Sequence, residues 1–245
     1  MFPIRDHNPS RRPAHVTRLL IAVNVGVFLL TWPAFADDRG LLQLWVDWAL
    51  IPAAVSQGYQ WHSVLSSMFL HAGVMHLGGN MLFLWIFGDN LEDEMGRLRY
   101  LAFYLACGVI SGLAHVLADP SSTVPTVGAS GAIAGVMGGY LLMFPRARID
   151  VLLIFVIFFK VIQVRAWAVL GIWFAIQLVL GTRGAPGAGV AYWAHAGGFV
   201  AGAILCLPLW LRRGGPRFWR LTGGRPPHAP ALAPTHVPRV ARRRP

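Results

Sequence analysis

Residues 127–143 read VGASGAIAGVMGGYLLM, an apolar run entered through one hydroxyl, Ser130, that is flanked by Gly128 and Gly131. The surrounding solvent decides whether this is a soluble core helix or a membrane span. Of the 245 residues, 56% are hydrophobic and 13% charged, far from the average soluble domain. The chain therefore reads as a polytopic membrane protein. A net charge of +11 raises nucleic acid as a partner, but the arginines cluster at the termini and between apolar runs. The positive-inside rule accounts for them, and no nucleic acid is expected. Cys107 and Cys206 fall inside apolar segments without paired or metal-type spacing, which excludes a disulfide framework.

A span needs about 20 mostly apolar residues. Six stretches qualify, at roughly 17–34, 73–90, 99–118, 126–144, 166–182 and 192–211. The expected fold is all-α, a bundle of six transmembrane helices over 17–211. A shorter run, VLLIFVIFF at 151–159, has Arg146 and Arg148 before it and Lys160 and Arg165 after it. Cations at both ends keep both on one face, so it is expected to be interfacial or partly inserted rather than a seventh span. The stretch 1–16, "MFPIRDHNPSRRPAHV", is too polar for the start of a signal peptide and reads as a cytoplasmic N-terminal segment.

Arg5, Arg11, Arg12 and Arg18 precede the first span, Arg97 and Arg99 follow the second, and Arg212, Arg213, Arg217 and Arg220 follow the sixth. These ends are expected to be cytoplasmic, and so are both termini. The opposite connections carry Asp37, Asp38, Asp47 and Asp119 and face outward. The outer loop at 35–72 holds Trp45, Trp48, Tyr59 and Trp61, rings that favour the headgroup region, so it is expected to associate with the membrane. Residues 212–245, rich in proline and arginine, are expected to be a disordered basic tail near anionic lipid.

With that orientation, Ser130 lies about four residues into the fourth span, roughly 6 Å below its outer end. His195, in YWAHAGGFVAG, lies about three residues into the sixth. In HAGVMHLGGN, His76 and Asn80 are spaced i, i+4 on one face of the second. Three spans thus bring Ser, His and a His/Asn pair to one layer near the outer surface. Gly128, Gly131 and Gly135, with Gly198 and Gly202, form small-xxx-small patterns that let backbones approach. His195, Gly198 and Gly202 share a face, so the histidine projects from the close-packed side. Taken singly, the serine could bond back to its own helix and the asparagine could be an interhelical clasp. An intramembrane histidine is costly and functional by default.

These residues resemble the rhomboid intramembrane serine proteases, through HAGVMHLGGN, GASG at Gly128–Gly131 and AHAGGFVAG at Ala194–Gly202, in that order on six spans. The resemblance covers about 17–211. It implies a serine endopeptidase without cofactor, with Ser130 as nucleophile and His195 as general base. It further implies oxyanion donors from His76, Asn80 and backbone near Gly128, with Gly131, Gly198 and Gly202 packing the site and His71 supporting the loop above the second span. Substrates would be transmembrane proteins, often single-pass, cut near the membrane boundary within the lipid bilayer. A bacterial inner membrane fits the size, and the oligomeric state is open. Two positions depart from the pattern. Trp61 is followed by His62 where many members carry arginine, and Ala134 stands where some carry an aromatic ring against the catalytic histidine.

Three other readings carry less weight. A metal site of His71, His76 and His195 lacks an HExxH motif and an intramembrane carboxylate. A binding-only relative that holds membrane clients has no need of a nucleophile beside a base. A transporter would show internal repeats or matched broken helices.

Overall fold

The computed structural model describes residues 2–8, 10–155, 158–183 and 190–227. Helices occupy all six apolar stretches: α1 (His15–Thr31), α5 (Val74–Met95), α6 (Arg97–Ala118), α7 (Ser130–Met143), α8 (Ala166–Thr182) and α9 (Tyr192–Arg212). Three are long and apolar enough to cross a membrane, namely α1 with its 3-10 extension to Ala36, α6 and α9. A fourth candidate is α5 joined to the short turn at Ser63–Phe69, which meets it at a 92° bend. The remaining two, α7 and α8, are shorter apolar helices of 14 and 17 residues. The outer loop folds into α2 (Asp38–Trp48), α3 (Pro52–Ser56) and α4 (Ser63–Ser66).

α7 is the centre of the bundle, with eleven of its fourteen residues buried. Glycine makes that possible. A Cβ at Gly198 would collide with the Gly131 carbonyl, one at Gly202 with the Gly135 carbonyl, and one at Gly138 with the Phe199 carbonyl. The two backbones are thus in direct contact along three turns, as small residues in membrane bundles permit.

The structure departs from the all-α expectation in one place. β1 (Phe2–Asp6), β2 (Arg148–Phe155) and β3 (Phe158–Arg165) form an antiparallel sheet in the order β1-β2-β3. The run at 151–159 therefore belongs to a hairpin in which Arg148 pairs with Arg165, bringing both ends together. Its cause is local alternation. Ile149 and Val151 are buried in the main core, and their cross-strand partners Val164 and Ile162 pack against it. On the strand between them, Asp150 receives Arg5 at 3.0 Å and His7 at 2.6 Å, which ties β1 down.

The segment expected to be disordered from 212 onward also begins with structure. A turn at Gly214 (φ 109°) and Gly215 (φ 56°) leads into α10 (Pro216–Thr222). Phe218 is buried there, and Trp219 Nε1 donates to the Leu142 carbonyl at 2.9 Å. Two aromatic residues in PRFWRLT give this piece an apolar face that a purely polar tail lacks. Residues 228–245 of the expected tail lie outside the described residues.

The end of the bundle opposite Ser130 is held by the acidic last turn of α5. Glu92 accepts from the Val16 amide at 2.9 Å, the Thr17 amide at 2.8 Å and the Thr17 hydroxyl at 2.9 Å. It thus serves the orphan donors at the start of α1 from a neighbouring helix. Glu94 meets Arg213 at 2.6 Å, and Asp93 accepts from the Arg11 amide at 3.0 Å.

Candidate active site

Ser130 is the first residue of α7 rather than four residues inside it. The preceding chain is held extended by a bridge between Thr126 and Leu50, with bonds of 2.8 and 3.0 Å in the two directions. Gly128 then turns the chain at φ 129°, a conformation that disfavours any Cβ. A Cβ there would also lie 2.8 Å from His76 Nε2. The first-turn amides of α7 have no partner within the helix, as at any helix start.

His195 is the fourth residue of α9, where sequence spacing puts it. Its Nε2 lies 2.7 Å from Ser130 Oγ. One residue earlier, the Ala194 carbonyl accepts from the buried Ser111 hydroxyl of α6 at 2.7 Å, which fixes the height of α9. The other ring nitrogen, Nδ1, lies 2.9 Å from Gln177 Oε1 on α8. Trp173, one turn before Gln177, faces the imidazole with ring centroids 5.7 Å apart and planes inclined by 35°. Ala134 is buried and offers no ring, so the aromatic neighbour of His195 comes from a different helix.

His76 and Asn80 share a face of α5 and line the same cavity of about 540 Å³ as Gly128, Ser130 and His195. Asn80 Nδ2 donates to the His76 carbonyl at 2.9 Å. His76 Nδ1 accepts from the Ala72 amide at 3.3 Å, which leaves Nε2 as the protonated nitrogen, beside Gly128. The Gly128 amide itself donates to the Ser67 carbonyl at 2.9 Å, so it is not a free oxyanion donor. The reason is the extended approach to α7, which lays the chain against the turn at Ser67. Gly128 contributes space and direction instead.

His71 precedes α5, so it lies in the turn before the helix that carries His76. The two rings meet edge to face at 5.2 Å. His71 is buried, and neither of its ring nitrogens has a hydrogen-bond partner among the described residues. His62, at the other departure from the resemblance, donates from Nε2 to the Asp47 carbonyl at 2.8 Å and packs against Trp48. It anchors the end of α2 at the position where many members of the resembled family carry arginine.

Sequence reasoning missed Gln177, Trp173 and Ser111. Gln177 carried a signal, because an amide inside the apolar run AWAVLGIWFAIQLVLGT requires a partner.

A bundle of apolar helices with a serine hydroxyl against an imidazole, at the wall of a cavity, defines a membrane protein built around a Ser–His pair. The rhomboid domain family matches residues 58–212. Rhomboid protein 1, mitochondrial, of Saccharomyces cerevisiae is 31% identical over 145 residues, which are 56% of this chain and 39% of that protein. Rhomboid protease GluP of Bacillus subtilis is 39% identical over 87 residues, 36% of this chain and 16% of that protein. Putative rhomboid protease YdcA of the same organism is 37% identical over 113 residues, 46% and 56% of the two chains. The aligned part thus spans just over half of these relatives' length at most. The chain belongs to the rhomboid family and is an integral membrane protein.

Proposed function

We propose that the protein is an intramembrane serine endopeptidase that hydrolyses peptide bonds in or near transmembrane segments, with Ser130 as nucleophile and His195 as general base. The observation that carries this reading is the 2.7 Å separation of His195 Nε2 and Ser130 Oγ. A serine hydroxyl is a weak nucleophile until a base takes its proton. His195 removes that proton as Oγ attacks the scissile carbonyl, then returns it to the leaving amine. Water, entering through the cavity, hydrolyses the acyl-enzyme by the same exchange.

The tetrahedral intermediate carries an oxyanion, and donors aimed at it in a site of low dielectric are worth about 2.7 to 4 kcal/mol each. His76 Nε2, the second Asn80 Nδ2 hydrogen and the first-turn amides of α7 serve that role, helped by the positive end of the helix. Gly128 admits His76 by having no side chain.

We read all six apolar helices as spans. α7 qualifies despite its length because it is packed among the longer α5, α6 and α9, and α8, of 17 residues, lies against α9. Both termini face the cytoplasm, the outer loop lies against the outer leaflet, and the site opens outward in a bacterial inner membrane. Suitable substrates are single-pass proteins whose spans contain helix-weakening residues, because a regular helix hides its carbonyls in its own hydrogen bonds.

The test is cleavage of a single-pass substrate by detergent-solubilised protein, run beside Ser130→Ala and His195→Ala and with a fluorophosphonate probe of Ser130. Cleavage and labelling by the wild type, both lost in the folded variants, support the reading. Equal cleavage by all three overturns it, and a folded but inert wild type across several substrates points instead to a client-holding protein.

A further inference from the structure

Among the described residues no carboxylate stands behind His195, yet a general base needs one particular tautomer. Nε2 must carry the lone pair toward Ser130, which requires the proton on Nδ1. The side chain on Nδ1 is Gln177, whose amide could face the ring either way. With Oε1 toward the ring it accepts from Nδ1–H. With Nε2 toward the ring it would donate to Nδ1, forcing the proton onto the nitrogen that faces Ser130.

The backbone of α8 chooses between them. Gln177 Nε2 lies 3.3 Å from the Trp173 carbonyl, four residues earlier, and donates to it. Reversing the amide would set two carbonyl oxygens against each other at that distance. Oε1 therefore faces His195, 2.9 Å from Nδ1. Gln177 is 7% exposed, so little water competes for either bond. Trp173 completes the arrangement by covering the ring face at 5.7 Å. One turn of one helix thus sets both the proton and the plane of the imidazole.

We propose that Gln177 is a positioning residue for the reaction: through its amide, oriented by the Trp173 carbonyl, it holds His195 in the tautomer that can deprotonate Ser130. The proposal rests on the reading of Ser130 and His195 as nucleophile and base. The amide does what a buried carboxylate does in a triad but leaves the site uncharged. That suits a helix in lipid, where an unpaired carboxylate is costly. The titratable groups around His195 are the imidazoles of His76 on α5 and His115 on α6, with the Ser130 hydroxyl on α7. Trp173 and Gln177, the α8 residues that meet it, do not titrate.

The experiment compares wild type, Gln177→Leu, Gln177→Met and Gln177→Glu, with Ser130→Ala and His195→Ala as controls. The readouts are kcat and KM for a single-pass substrate, the pH dependence of fluorophosphonate labelling, and the melting temperature. Leucine and methionine keep the volume and remove the acceptor. They should lower kcat and the labelling rate about 10- to 100-fold with KM unchanged, a part of the roughly 10²- to 10⁴-fold that general-base catalysis supplies. Glutamate keeps the acceptor and should retain more activity than leucine. Its charge stabilises the imidazolium, so the acidic limb of the labelling profile should move to higher pH. Wild-type kcat in a folded Gln177→Leu, or an unmoved limb in a folded Gln177→Glu, would overturn the proposal. So would equal losses in leucine and glutamate variants that track a fallen melting temperature, because that pattern is packing alone. If Ser130→Ala still cleaves, the nucleophile assignment itself has failed, whatever the Gln177 variants do.

Discussion

Replacing Gly198 by alanine adds one methyl group where α9 touches α7, and its effect can be worked from the packing. The new Cβ would lie 3.0 Å from the Gly131 carbonyl carbon, closer still to its oxygen, and 3.3 Å from Ser111 Cβ, where ordinary contact begins at 3.4 Å. The obstructing atoms are mostly backbone, so no rotamer change relieves them. The helices must part by on the order of 1 Å, at an overpacking cost of about 1 to 3 kcal/mol. His195 is three residues before Gly198, and Ser130 is next to Gly131, so the same parting acts on the 2.7 Å contact between them. Lengthened by about 1 Å, it leaves hydrogen-bond range. A misplacement of that size costs about 100-fold in rate. Gly198→Ala should therefore lower kcat about 100-fold and reduce the melting temperature while keeping helical content. Gly171→Ala is the control, because nothing lies within 4 Å of a Cβ built there on α8. That substitution should be neutral or stabilising by up to about 1 kcal/mol. Cleavage kinetics with a circular-dichroism melt read both effects. Wild-type kcat and melting temperature in Gly198→Ala would refute the claim that backbone contact sets the Ser–His distance.

Three further outcomes follow from groups away from the site. Burial, and then the Asp89 charge, push the Asp6 carboxyl from its usual 3.8 up to about 7, so the folded state favours the protonated form. Its stability contribution is full below about pH 4 and is lost as pH rises through about 7, and Asp6→Asn should flatten the fall in melting temperature between pH 5 and pH 8. Glu92→Ala strands the two amides and the hydroxyl that Glu92 now accepts from, costing on the order of 3 kcal/mol. Glu92→Gln keeps an acceptor and should melt between it and wild type; equal melting of all three would show that the carboxylate does not cap α1. Cys107 and Cys206 are both 0% exposed, so a thiol reagent should label neither until the protein unfolds, as mass spectrometry would show.

The positions of the six apolar helices were legible because each holds a largely apolar run. The layer shared by Ser130, His195, His76 and Asn80 followed from counting residues along three of them. Features set by distant partners were not legible. The start of α7 at Ser130 depends on Thr126 bridging to Leu50, far back in the outer loop. The hairpin at 148–165 was read as returning to one face, but its completion by β1 depends on residues at the other end of the chain. Gly128 looked like a donor because nothing local reveals that Ser67 already takes its amide proton. Gln177 was passed over although it is a polar residue in an apolar helix, because its partner comes from α9 and only the folded arrangement identifies it.

The length of α7 connects these features. Fourteen residues rise about 21 Å, well short of a hydrocarbon core of about 30 Å. At its Ser130 end the chain is not helical but runs extended to Leu50, and the hydroxyl lines the cavity there. A helix carrying Gly131, Gly135, Gly138 and Gly139 gives up roughly 1 kcal/mol per glycine in intrinsic propensity. By propensity alone, alanine at any of them would stabilise the protein. The close contacts with α6 and α9 reverse that sign at Gly131, Gly135 and Gly138, where a Cβ meets Ser111, Cys107 or the Phe199 backbone. The helix is stable only in its place among its neighbours, and that place also puts Ser130 within reach of His195.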